Sequence, residues 1–100
     1  MIYQLSVPAA VPDVNEIRIL EWHASPGTRL EVGDMIVELE THKAVVEVRA
    51  GQQGFLRQLR AEPGDWREIG LVLALFSDLA GEEIPADEHA AALVVEFEIT

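Results

Sequence analysis

The chain has one hundred residues, of which 49% are hydrophobic and 6% aromatic, and its formal net charge is −11. A single domain of this length should bury about 60–65% of the surface of its unfolded chain, with a core mostly of Val, Leu, Ile and Ala. The acidity argues against binding to nucleic acid or to an anionic membrane, and the absence of cysteine excludes disulfides.

The start of the chain, "MIYQLSVP", has neither the basic region nor the cleavage site of a secretory signal. No apolar run approaches the roughly 20 residues that a membrane span requires. These two observations predict a cytoplasmic protein that does not enter the membrane.

Short β-strands are predicted along most of the chain. Apolar residues alternate or cluster over residues 3–7, 35–39, 44–48, 54–59 and 71–76, and Pro or Gly turn signals separate these segments. No helical period of 3.6 residues persists before residue 78. The pattern predicts an all-β sandwich or barrel.

Two parts of the chain repeat each other. Residues 17–39 align with residues 54–75, so that Pro26-Gly27 falls on Pro63-Gly64 and Gly33 falls on Gly70. Two copies of one strand–turn–strand unit predict two similar sheets related by an approximate two-fold axis, each supplying half of the core.

A near-palindrome, "VELETHKAVVEV" (residues 37–48), lies between the two copies. Its mirror pairs are Val37 with Val48, Glu38 with Glu47 and Leu39 with Val46, as expected of a tight hairpin with apolar pairs inward and glutamates outward. Lys43, the only lysine of the chain, falls at the tip. An exposed lysine amine is a poor nucleophile at neutral pH, but a single amine at a hairpin tip suits an enzyme that modifies it.

The C-terminal part of the chain has a different residue pattern. Residues 79–92 are acidic and Ala-rich, as in a mobile linker, and separate a domain at residues 1–78 from a tail at residues 93–100. In the tail, Leu93, Val95, Phe97 and Ile99 would lie on one face of an extended chain, with Glu96 and Glu98 on the other. This alternation predicts a strand that joins a sheet edge of the same molecule or of a second copy in a homodimer.

The hairpin resembles the attachment region of lipoyl domains, the swinging-arm carriers of 2-oxoacid dehydrogenase complexes. Their Glu-Thr-Asp-Lys-Ala motif, preceded by Gly-Asp, corresponds here to Gly33-Asp34 followed by Glu40, Thr41, His42, Lys43 and Ala44. The resemblance extends from "LSVP" through Glu21-Trp22 and "PGDW" to about Phe76. His42, "RAGQQG" and the tail depart from the family pattern.

This resemblance implies an all-β fold, the lipoyl/biotinyl hammerhead: a flattened barrel or sandwich of two four-stranded antiparallel sheets with quasi-two-fold symmetry, here with an extra C-terminal strand. It also implies a non-catalytic carrier that bears lipoate on Lys43, with Glu40, Thr41, His42, Ala44 and Gly33 as flanking recognition residues. The implied partners are a lipoate ligase, a thiamin-dependent 2-oxoacid decarboxylase, an acyltransferase and dihydrolipoamide dehydrogenase. The turn and residues 8–15 are expected to contact these partners.

Two alternatives remain open at this point. A biotin carrier shares the fold but typically has Met on both sides of its lysine, where this chain has His42 and Ala44. An unmodified β-sandwich adaptor would keep the fold without a cofactor. His23, His42 and His89 are far apart in sequence and lack ligand spacing, so neither a metal site nor catalytic residues are predicted.

Overall fold

The structure, a computed structural model, describes residues 1–85 and 90–100. The described residues contain ten β-strands and no helix, which confirms the predicted all-β class. They accordingly contain no helix able to cross a membrane. The strands are β1 (Ile2–Ser6), β2 (Glu16–Trp22), β3 (Arg29–Leu30), β4 (Met35–Glu40), β5 (Val45–Ala50), β6 (Gly54–Leu59), β7 (Trp66–Glu68), β8 (Val72–Ser77), β9 (Ala91–Ala92) and β10 (Val95–Ile99).

The strands form two sheets, with the orders β3-β6-β8-β1-β9 and β10-β5-β4-β2-β7. All pairings are antiparallel except that of β9 with β1. Without the tail each sheet has the four strands expected, and the tail adds one strand to each sheet where one extra strand was expected. The expected barrel is not closed: the molecule is a sandwich of two open sheets.

Reciprocal hydrogen bonds between the two repeat copies give the sandwich its approximate two-fold symmetry. The Gly27 amide donates to the Leu56 carbonyl at 2.8 Å, and the equivalent Gly64 amide donates to the Ile19 carbonyl, also at 2.8 Å. Both glycines have positive φ, 95° and 92°, which residues with a Cβ adopt only at a cost. The repeated Pro-Gly therefore positions each turn against a strand of the other copy.

The core lies between the sheets and draws its side chains from both. Its completely enclosed members are aliphatic, apart from Phe76, as the composition predicts. Branched side chains at alternate strand positions fill the narrow space between two sheets, while the intervening residues face solvent. The fully buried set includes Ile17, Ile19, Ile36, Val37, Leu39, Val46, Val48, Leu56 and Leu73.

The tail crosses from one sheet to the other. Ala91–Ala92, within the predicted linker, form β9 beside β1; residues 86–89 of that linker lie outside the described residues. Leu93 is then buried, and β10 pairs antiparallel with β5 of the same molecule. The predicted edge strand is thus present, starting at Val95, two residues later than its apolar pattern.

Candidate functional site

The central hairpin is formed by β4 and β5, in the register that the palindrome predicts. Val37 pairs with Val48, Glu38 with Glu47, and Leu39 with Val46. The valines and leucine face the core, where they are fully buried, and the hairpin ends in the turn of residues 41–44. Lys43 is exposed at this tip.

Thr41 fixes the turn that carries the lysine. Its hydroxyl oxygen accepts hydrogen bonds from the Lys43 and Ala44 amides, both at 3.0 Å, and its own amide donates to the Ala44 carbonyl at 2.8 Å. Only 8% of Thr41 is exposed. A threonine hydroxyl bound to amides two and three residues ahead closes a turn without help from distant residues. The lysine backbone is therefore held rigidly while its side chain extends into solvent.

The amine of the lysine side chain makes one long hydrogen bond. The Lys43 Nζ atom lies 3.5 Å from the Pro12 carbonyl oxygen, and it forms no ion pair with any residue in 1–85 or 90–100. The lysine stem thus follows the loop between β1 and β2. Residues 8–15 of this loop, which were predicted to contact partners, therefore lie beside the lysine. Acylation of this amine would disturb one long hydrogen bond within the described part of the chain.

A groove of about 770 Å³ opens beside the turn. His42 and the side chain of Trp66, 47% exposed, contribute its aromatic surface. Asp13, Glu16 and Glu68 add carboxylates. This surface, together with the lysine, is what a partner protein would meet at this end of the sandwich.

The sequence profile of the family described as "Biotin-requiring enzyme" (biotin–lipoyl) matches residues 3–76. The chain belongs to the biotin–lipoyl family. The matched segment of this biotin–lipoyl domain comprises β1 to β8 up to Phe76 and ends before the tail strands.

The relatives of the biotin–lipoyl domain include two succinyltransferase components of 2-oxoglutarate dehydrogenase complexes. The component from Staphylococcus saprophyticus is 36% identical over 90 residues, covering 87% of this chain and 21% of that protein. The component from Bacillus subtilis is 33% identical over 79 residues, covering 79% of this chain and 19% of that protein. The chain thus spans about a fifth of the length of these relatives.

A solved structure supports the same fold. The lipoyl domain of the 2-oxoglutarate dehydrogenase complex from Azotobacter vinelandii matches with a TM-score of 0.66 and 25% sequence identity. The match covers 75% of this chain and 95% of that domain.

The remaining residues predicted to flank the lysine do not all lie near it. Glu40, at the end of β4, pairs with Arg18 of β2 at 3.2 Å, and Ala44 closes the turn. Gly33 lies before β4, at the opposite end of the hairpin, where its φ is 94° and its amide donates to the Ala50 carbonyl. With about 3.4 Å per strand residue, Gly33 is about 20 Å from the turn. Its position supports a structural role and not recognition at the turn.

Two features of this region were not found from the sequence. Trp66 carries no sequence signal of a site, yet it is half-exposed in the groove. The other feature is a cluster on the outer face, where His23 Nε2 lies 2.6 Å from Glu38 and 3.8 Å from Glu21. The three potential ligand atoms lie within 4.8 Å of one another. The short bond to Glu38 accounts for the position of the His23 imidazole without a metal ion. Of the other two histidines, His42 lies in the groove and His89 falls outside the described residues.

Proposed function

We propose that Lys43 is a covalent attachment site for lipoate and that the domain is a swinging-arm carrier of a 2-oxoacid dehydrogenase-type complex. In this role it moves acyl groups and reducing equivalents between the components. The observation that carries the proposal is the position of the only lysine, exposed at the tip of a hairpin whose turn Thr41 holds rigid.

The residues around Lys43 fit an attached arm. Amide formation joins Nζ to the lipoate carboxyl group, releases water overall and removes the charge of the lysine. Within the part of the chain that the structure describes, no buried partner loses that charge, since the hydrogen bond of Nζ goes to the exposed Pro12 carbonyl. The dithiolane of a bound lipoyl group supplies the redox and acyl-transfer chemistry, which a chain without cysteine lacks.

The protein contributes presentation and recognition. The stem of Lys43 and its attached group can swing beyond the sandwich, while the turn, residues 8–15 and the groove stay fixed as the surface that partners read. The partners in this proposal are a lipoate ligase, a thiamin-dependent 2-oxoacid decarboxylase, an acyltransferase and dihydrolipoamide dehydrogenase, in the cytoplasm. The net charge of −11 favours partners with basic surfaces around their active sites.

The named relatives support this choice of complex, since they are acyltransferase components of 2-oxoglutarate dehydrogenase complexes. The present chain corresponds to about a fifth of their length, and its exposed lysine suits the attachment of a carrier arm. We therefore assign the carrier step to this domain and the acyl-transfer step to a separate catalytic domain.

Intact mass spectrometry tests the proposal directly. The domain is co-expressed with a lipoate ligase and lipoate, or with a biotin ligase and biotin, beside a Lys43→Arg variant as matched control. A lipoyl increment on the wild type that is absent from Lys43→Arg supports the proposal. A biotinyl increment assigns the domain as a biotin carrier, and no increment with either ligase assigns it as an unmodified adaptor. Circular dichroism of Lys43→Arg must show the wild-type β signal, because an exposed tip side chain contributes no packing.

A further inference from the structure

A row of four glutamates crosses the outer face of the sheet that contains the hairpin. Glu21 is paired with Glu38, Glu38 with Glu47, and Glu47 with Glu98, on four neighbouring strands β2, β4, β5 and β10. Like charges directly opposite each other destabilise a sheet unless cations neutralise them. The neutralising partner of each glutamate therefore shows which part of the row still lacks a cation.

Three glutamates of the row have a histidine or arginine partner, and the fourth, Glu98, has none among the described residues. His23 lies against Glu21 and Glu38, and Arg49 binds Glu47 at 3.0 Å. Glu98, on the outermost strand, has no ion pair or side-chain hydrogen bond within the described part of the chain. The same is true of Glu96, since the guanidinium of the opposite Arg49 binds Glu47 and the Gly33 carbonyl instead.

The backbone of β10 also has an unpaired side. Thr100 and Val45 exchange both of their amide–carbonyl hydrogen bonds, at 2.9 and 3.1 Å. Because such bonded pairs alternate along an antiparallel ladder, Glu98 and Glu96 also direct their backbone groups toward β5. Phe97 and Ile99 direct their backbone groups away from β5, toward an edge that no described strand covers.

The inward side of β10 is apolar and incompletely covered. Phe97 and Ile99 lie opposite the core residues Val48 and Val46, yet they remain 46% and 51% exposed. The outermost strand thus has free backbone groups on its edge, apolar side chains on one face and unpaired carboxylates on the other.

We infer that β10 is a docking edge for an extended partner segment in which apolar and basic residues alternate. The segment pairs antiparallel with β10, its backbone bonds the free groups of Phe97 and Ile99, and its apolar residues cover those two side chains. Its basic residues stand beside Glu96 and Glu98 and continue the row of charges by one strand. Main-chain bonds supply affinity in this mode of recognition, and side chains supply selectivity.

A second copy of this chain fits the edge poorly. Antiparallel pairing of two β10 strands must bring the outward-directed residues Val95, Phe97 and Ile99 of the copies opposite one another. In the registers that pair most of the strand, Glu96 and Glu98 then face glutamates of the other copy, with no cation between them. Charge complementarity therefore favours a basic strand over self-association.

The position of the edge gives the docking a consequence. β10 ends at Ile99 opposite Val46, and the next residue, Thr100, bonds Val45, two residues beyond Lys43, so a docked partner would be held beside the lysine turn. The edge belongs to the tail, which lies outside the family match at residues 3–76. The inference does not depend on modification of Lys43.

Nuclear magnetic resonance of the ¹⁵N-labelled full chain tests the inference with a capped peptide that alternates valine and arginine. Two peptides serve as controls: one with glutamate in place of arginine, and one of the same composition with the arginines and valines in separate blocks. We expect the alternating peptide to shift the amide signals of residues 95–99 and to slow exchange at Phe97 and Ile99. Equal binding of the block peptide, or shifts confined to other acidic surfaces, would overturn the inference.

Two variants separate the backbone and charge contributions. Phe97→Pro removes an outward N–H, which edge strands tolerate, and should abolish docking while the Glu98 and Thr100 amides stay protected. A double Glu96→Gln, Glu98→Gln variant keeps the strand and should weaken binding about 3–10-fold. Unchanged affinity for the alternating peptide in both variants would refute the proposed contacts. If rotational diffusion of the protein slows with concentration in the absence of peptide, the edge is assigned to a second copy instead.

Discussion

Replacing Thr41 with valine tests whether one hydroxyl holds the lysine turn. Valine keeps the β-branched shape of threonine at this buried position and removes the hydroxyl, which accepts hydrogen bonds from the Lys43 and Ala44 amides at 3.0 Å and donates a longer one to the Ala44 carbonyl at 3.4 Å. A typical intramolecular hydrogen bond contributes about 0.5–1.5 kcal/mol. Lys43 and Ala44, whose amides lose their acceptor, are not buried, so water can replace part of the loss and we expect the turn to be destabilised by about 1–2 kcal/mol.

The expected loss can be measured both locally and globally. A cost of 1–2 kcal/mol is a factor of about 5–30 in an opening equilibrium, so exchange of the Lys43 and Ala44 amides should accelerate by that factor. Urea unfolding should show a lower midpoint with an unchanged slope, because the surface exposed on unfolding is the same. Thr41→Ser, which restores the acceptor, is the matched control and should behave like the wild type.

Thr41→Val also distinguishes the rigidity of the turn from direct recognition of the Thr41 side chain by a modifying enzyme. Thr41 is 8% exposed, so a modifying enzyme has little access to its hydroxyl, and slower lipoylation of Thr41→Val would reflect a loosened turn. Wild-type exchange at Lys43 and Ala44 in Thr41→Val, with an unchanged free energy of unfolding, would refute the role of the hydroxyl.

Two further predictions concern the tail and the histidine beside the lysine. In Gly51→Ala the new Cβ would lie 2.8 Å from Val94 Cγ1 and 2.9 Å from the Val94 carbonyl oxygen. We therefore expect the free energy of unfolding to fall by about 1–3 kcal/mol and amide exchange to accelerate throughout β10. Wild-type protection of the β10 amides would show that the tail does not depend on this contact. His42→Asp should leave lipoylation nearly unchanged but alter the rate of reductive acylation by the proposed decarboxylase, because it replaces an exposed imidazole beside the lysine with a carboxylate on the surface that this partner reads. Equal acylation rates for both proteins at about pH 6 and pH 8 would contradict this.

The hairpin was predictable because its determinants are local. Side chains alternate between the faces of a strand, so a palindrome of apolar and charged residues has a single register that buries every apolar pair. Val37, Leu39, Val46 and Val48 all enter the core in that register. The position of Lys43 at the tip follows from the same pattern.

Contacts between distant segments were not predictable in the same way. His23 and Glu38 are fifteen residues apart and meet only because β2 pairs with β4. The alternation in the tail predicted a strand but could not distinguish between the sheet edges that might receive it. That choice depends on Leu93, whose amide bonds the Gln4 carbonyl at 2.9 Å, and on Val94, whose carbonyl accepts the Gly51 amide at 2.8 Å.

The internal repeat explains why one short tail can extend both sheets. The Gly33 amide donates to the Ala50 carbonyl and the equivalent Gly70 amide donates to the Val7 carbonyl, so the chains leaving β5 and β1 occupy corresponding positions. The duplicated fold therefore has two corresponding open edges, and β9 and β10 cover one each. Covering β5 moves the open edge nearest the lysine outward to β10, whose glutamates oppose pairing between identical copies. An acidic edge of this kind protects the hairpin from self-association and leaves it open to a basic strand.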